Sequence, residues 1–123
     1  MKKSYKAYSN RSYLAKEDFP KPEILTIEEV CEERVKANGK PEQSKLIIYF
    51  EGLEKGLVNN LTNGAALEAM IKAANPDIED PENPQRWPGL RVEVFVDPSV
   101  MYQGKREGGI RLRPAPAQDD MPY

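Results

Sequence analysis

The side chains that most often carry out chemistry are nearly missing from this chain. It has no histidine and one cysteine, Cys31, among 123 residues. Without histidine there is no Ser-His or Cys-His nucleophile pair and no imidazole base working near neutral pH. A single cysteine excludes an intrachain disulfide and a cysteine-built zinc site, and it fits a reducing compartment. Glu28, Glu29, Glu32 and Glu33 resemble a nuclease's metal-binding carboxylates only by crowding. Their adjacency reads better as a solvated face, and no companion motif supports catalysis. The segment 104–109, Gly-Lys-Arg-Glu-Gly-Gly, is basic and glycine-rich. It lacks the spacing, the closing Lys-Ser/Thr pair and the following helix of a phosphate-binding loop. The expectation is a non-enzyme with no cofactor and no metal.

Binding chemistry is what the composition leaves. The net charge of −2 hides a strong segregation. Residues 1–22 hold six Lys/Arg against two Asp/Glu, and residues 23–100 hold eight against fifteen. Residues 101–113 then hold four against one, and the last ten residues carry two acids and no base. Such asymmetry points to local electrostatic contacts. Single-stranded nucleic acid asks for cations along its phosphates and flat rings under its bases. Arg34, Lys36 and Lys40 fall in one turn-rich stretch, and Tyr102, Lys105 and Arg106 in another. Arg91, Arg111 and Arg113 take outward positions of alternating segments, as do Tyr49 and Phe95. Competing roles exist for each. Arg91, Glu93, Arg111 and Arg113 can form a cross-strand ion-pair ladder. The N-terminal arm can cover an outward ring, and Trp87 beside Pro88 reads as a plug on the barrel end rather than a stacking platform.

Hydrophobic periodicity supplies the elements behind these residues. Tyr13, Leu14 and Phe19 suit a short docking segment ahead of Pro20 and Pro22. Between Ile24 and Val35 a bent strand competes with a helix opened by a Thr26/Glu29 capping pattern, and the strand is favoured. Asn38-Gly39 marks a turn. Lys45–Phe50 alternates as a strand, with Leu46, Ile48 and Phe50 on one side. Gly56–Asn59 makes a short strand. Thr62 or Asn63 caps a helix covering residues 64–74, with Leu67, Met70, Ile71 and Ala74 as its apolar stripe. A proline-punctuated loop leads to Leu90–Val96, where Leu90, Val92, Val94 and Val96 point inward. A long loop over residues 97–109 precedes a last strand carrying Ile110 and Leu112.

The order is strand, strand, strand, helix, strand, strand. The expected fold is therefore mainly β: a five-stranded Greek-key barrel with one helix between strands three and four, the oligonucleotide-binding or OB-fold. Its single strands bind on the face of strands two and three and in the loops joining strands one to two and four to five. The domain expectation is a basic arm over residues 1–22, an OB-fold domain over 23–114 and an acidic tail over 115–123. No stretch approaches the roughly 20 apolar residues of a membrane span. The N-terminus begins like a signal peptide without its apolar run. A cytoplasmic, non-membrane protein is expected.

The last residues, Asp119-Asp120-Met121-Pro122-Tyr123, resemble the C-terminal tip of bacterial single-stranded-DNA-binding proteins. That tip is acidic and ends in an apolar residue, proline and phenylalanine; here Met and Tyr take the apolar and terminal positions. The tail is shorter than in typical bacterial members. Residues 13–114 more loosely resemble small phage or prophage proteins encoded near replication functions. The resemblance implies single-stranded DNA as ligand, in a bacterial host cytoplasm if the chain is phage-encoded. It also implies recruitment of host or phage replication and repair proteins through the tip, and it leaves a homodimer open. The alternative is a protein-binding inhibitor or adaptor using the acidic surface.

Overall fold

A computed structural model describes residues 13–35, 41–102 and 104–116 of the chain. The stretch after Pro22 extends into a long strand, β1 (Glu23–Val35), so the capping pattern at Thr26 and Glu29 does not produce a helix. Its first half pairs antiparallel with β4 (Arg91–Asp97), from Glu23 against Val94 to Thr26 against Arg91. Its second half pairs with β2 (Gln43–Phe50). The register slips between Ile27 and Glu29. That extra residue reverses the alternation, so Ile27 and Val30 both reach the main core while Cys31 joins a second cluster.

β2 serves both clusters. Ile48 and Phe50 enter the main core, and Ile47 and Tyr49 enter the second. β3 (Leu57–Val58) pairs Leu57 with Ile48. Then comes the one α-helix among the described residues, α1 (Leu61–Ala74). Its N-cap is Asn60, whose side chain accepts from the Asn63 amide at 2.8 Å. The helix thus begins two or three residues earlier than a Thr62 or Asn63 cap would place it. Leu67, Met70 and Ile71 are buried as expected, but Ala74 is exposed. Trp87 plugs the main core at 3% exposure.

The expected long loop over 97–109 is only partly irregular. It contains a two-stranded ribbon of β5 (Met101–Tyr102) and β6 (Lys105–Arg106). Gly104, with φ +80°, takes the left-handed backbone that its turn requires. β7 (Gly109–Pro114) follows and pairs with β4, sending Ile110 and Leu112 inward.

The five principal strands form one antiparallel sheet in the order β3-β2-β1-β4-β7. The helix lies between β3 and β4 in sequence, as expected. The sheet is open: β3 and β7 are its edges and do not pair among the described residues. Other groups bond beside the β3 edge and on the β7 edge. The Leu14 amide donates to the Gly56 carbonyl at 2.8 Å beside β3. On β7, the side-chain amide of Asn63 donates to the Ile110 carbonyl at 3.1 Å and accepts from the Leu112 amide at 3.3 Å. Asn63 is 1% exposed and imitates a neighbouring strand. No helix among the described residues is long and apolar enough to cross a membrane.

Candidate nucleic-acid interface

The gap between the two sheet edges is a cleft of about 740 Å³. Each wall has a separate origin. β3 contributes Leu57 and Val58, β7 contributes Ile110 and Arg111, and the first turn of α1 contributes Asn60 to Asn63. The docked segment before β1 brings Lys16, the start of β2 brings Lys45, and the ribbon brings Met101. Three lining residues are cations and none is an acid, in a chain of net charge −2. The exposed large hydrophobic residues of the described structure, Leu61 at 93% and Met101 at 55%, both line this cleft. The α1 N-terminus adds partial positive charge, because the first amides of a helix have no intrahelical acceptor.

The segment carrying Lys16 is held at several points. Phe19 is buried in the main core, and Asp18 accepts from the Ala15 amide at 2.8 Å. Asp18 also meets Lys55 at 3.3 Å. The Ala15 amide first, then Lys55, holds the Asp18 carboxyl below its ordinary value. Lys16 Nζ donates to the Glu107 carbonyl, joining this segment to the loop after β6.

The residues singled out from sequence separate into groups. Arg111 lines the cleft. Lys105 and Arg106 are exposed on the neighbouring ribbon, and Tyr102 is the β5 residue paired with Lys105. Arg113 and Phe95 belong to a different constellation. Arg113 donates to Glu93 at 2.6 Å, and its guanidinium lies 4.1 Å from the centroid of the Phe95 ring. Glu93 and Arg113 are register partners on β4 and β7, so this rung of the ladder forms. Arg91 instead donates to the Pro116 carbonyl at 3.2 Å. Arg34 pairs with Glu42 at 2.6 Å. Lys36, Lys40 and the tip residues Asp119, Asp120, Met121, Pro122 and Tyr123 lie outside the described residues.

Tyr49 requires a correction. It does face away from the main core, but it is 2% exposed and presents no stacking surface. Its hydroxyl donates to one Glu33 oxygen at 2.6 Å, while the Tyr13 hydroxyl donates to the other at 2.9 Å. Tyr13 of the docked segment therefore helps to cover it. Burial, then the Glu33 bond and charge, pushes the Tyr13 phenol up to about 12. Burial and the same carboxylate raise Tyr49 as well. The ring also packs on Gly56, where an added Cβ would fall 2.8 Å from Tyr49 Cε1.

Sequence reasoning missed Lys16, Lys45, Leu61 and Met101. Each looks ordinary in its own segment, and they meet only because the sheet leaves its edges unpaired. Among the described residues no group of three His, Cys, Asp or Glu could hold a metal ion. Neither a protein-family model, nor a curated protein, nor a solved structure matches the chain.

Proposed function

We propose that the chain is a non-catalytic single-stranded-DNA-binding module of the OB-fold class. The observation that carries this reading is the cleft: three converging cations with no acid among its lining residues, in an otherwise acidic chain. The strand order supports it. β3 and β7 are the strands a closed five-stranded Greek key would join, and the helix falls where that fold puts one. On this reading the cleft is the barrel's seam. Lys16, Lys45 and Arg111 take phosphates, Lys105 and Arg106 extend the track, and Leu61 and Met101 meet bases. Phosphate neutralisation releases counterions, so affinity falls as salt rises.

Recruitment of replication or repair proteins through Asp119–Tyr123, in a bacterial cytoplasm and for a phage-type protein, is part of the same proposal. The proline limits the ordering cost of docking and the terminal ring supplies area.

Fluorescence anisotropy with a labelled single-stranded oligonucleotide tests the core of this reading. Binding that weakens with salt is expected. Absence of binding at low salt would transfer support to the adaptor reading, which rests on the acid excess of residues 23–100. For the tip, a host-extract pull-down compares the full chain with one lacking residues 119–123. Identical partners in both would remove the recruitment role.

A further inference from the structure

The three cations of the cleft are not held alike. Lys45 and Arg111 sit within paired strands, opposite Glu33 of β1 and Phe95 of β4. Lys16 belongs to no strand. It opens a single turn of 3-10 helix, Lys16–Asp18. A helix this short has too few hydrogen bonds to hold its own shape, so its geometry depends on whatever pins it.

Asp18 pins the turn from two directions. Its amide donates to the Ala15 carbonyl at 2.9 Å, and its carboxylate accepts from the Ala15 amide at 2.8 Å. These reciprocal bonds close a ring around Lys16 and Glu17. The same carboxylate meets Lys55 Nζ at 3.3 Å, which ties the turn to the residue before Gly56. The Gly56 carbonyl in turn accepts from the Leu14 amide at 2.8 Å. The turn is thereby fixed to the β3 side of the cleft, and from there Lys16 reaches across to the Glu107 carbonyl on the β7 side. Lys16 lines the cleft, whereas Asp18 does not.

We infer that Asp18 is a positioning residue for strand binding: it touches no phosphate itself, and it holds the turn that carries Lys16 into the cleft. The inference rests on the single-strand reading above. As a bare charge, Asp18 would repel a nearby phosphate, so its removal would strengthen binding. As the pin of the turn, its removal weakens binding, because Lys16 must then be ordered when the strand arrives. The two roles are therefore opposite in sign. Asparagine keeps a side-chain carbonyl oxygen able to accept from the Ala15 amide, and alanine has none. Both substitutions delete the same charge, so the difference between them isolates the hydrogen bond.

The test follows the anisotropy of a labelled single-stranded oligonucleotide at several salt concentrations. It compares the full chain with Asp18→Asn, Asp18→Ala, Lys16→Gln and the double variant Asp18→Ala/Lys16→Gln. One phosphate contact on a single strand corresponds to a salt slope of about 0.7, which is roughly fourfold in affinity near physiological salt. Asp18→Ala should bind more weakly than both the wild type and Asp18→Asn, by up to roughly fourfold, with its salt slope lowered towards that of Lys16→Gln. The double variant should be no weaker than Lys16→Gln alone. Equal affinities for Asp18→Asn and Asp18→Ala overturn the positioning role and leave single-strand binding intact. So does an Asp18→Ala chain that binds more tightly than the wild type, or a double variant in which the two losses add. Should Asp18→Ala melt early, the same comparison is made below its melting temperature. Failure of the wild type to bind at low salt removes the single-strand reading, and the role of Asp18 with it.

Discussion

Arg111 and Arg113 stand two residues apart on the same side of β7 and end in different company. Arg113 is held by Glu93 and lies over the Phe95 ring. Arg111 lines a cleft with Lys16 and Lys45 and with no acid among the lining residues. It makes no ion pair there with a described carboxylate, although, after the hydrogen bonds from Ser99, its charge helps to lower the Asp97 carboxyl. The contrast extends beyond β7. On the outer face of β1 and β2, the Glu33 carboxylate binds Tyr13 and Tyr49, so that region is also satisfied from within. A positive or aromatic side chain that faces outward is not thereby available. Availability depends on whether its neighbours have already used its charge or its face.

The largest effect that separates the two regions is on stability. Tyr49→Ala removes a buried ring and should destabilise the fold by about 3–5 kcal/mol, as large aromatic truncations do. Chemical denaturation measures it, and oligonucleotide affinity at a temperature where the variant is folded should be unchanged. A loss of affinity with normal stability would instead make Tyr49 a stacking residue.

The converse variant joins Lys16→Gln, Lys45→Gln and Arg111→Gln. Losing three phosphate contacts on a single strand lowers the salt slope by about 2, which is roughly a 10- to 100-fold loss of affinity near physiological salt. Thermal melting should barely move. Unaltered affinity would place binding outside the seam.

Asn63→Ala probes the boundary of the cleft. It strands two β7 backbone groups and should cost ~2 kcal/mol, with faster hydrogen exchange at Leu112. Exchange at Leu112 unchanged from wild type would show that another group holds this edge.

Alkaline titration addresses the satisfied face alone. The folded Tyr13 pKa is raised from 10.0 to about 12. Its contribution to stability is therefore complete below pH 10, and it declines as the pH rises through about 12. Tyrosinate absorbance should show late deprotonation, and Glu33→Gln should bring it earlier. An unshifted titration in that variant would separate Tyr13 from the carboxylate. The smallest effect belongs to Arg113→Gln. An exposed ion pair and a cation–π contact together are worth about 1 kcal/mol, and oligonucleotide affinity should stay within about twofold. A larger loss of affinity would erase the distinction between Arg111 and Arg113.

The alternation of Leu46, Ile48 and Phe50 and of Val92 and Val94 made the sheet legible, since period two leaves one buried face. β1 was readable as a strand despite its capping pattern, but its bulge was not. A register slip depends on the partner strand rather than on local residue types. The α1 cap was misplaced because four polar residues crowd its start. Asn63 is needed on β7, and that contact lies 47 residues away in sequence. The ribbon did leave a signal in Gly104, flanked by residues able to pair, although its length resembled an open loop. The cleft was least legible. Lys16, Lys45 and Arg111 come from three segments whose approach depends on the order of the strands. Tyr49 had the opposite problem: its outward direction was correct, and its cover came from Tyr13.

The capped β7 edge bears on self-association. An exposed strand edge is a template on which a second chain can add, extending one sheet across many molecules. Here the Leu14 amide already holds the Gly56 carbonyl, and the Asn63 amide already holds a donor and an acceptor on β7. A neighbouring copy that sought to polymerise through β7 would first have to dislodge a buried side chain from its own helix. Concentrating many such molecules on one strand of DNA, as the proposed function requires, would therefore not by itself seed fibril growth from that edge.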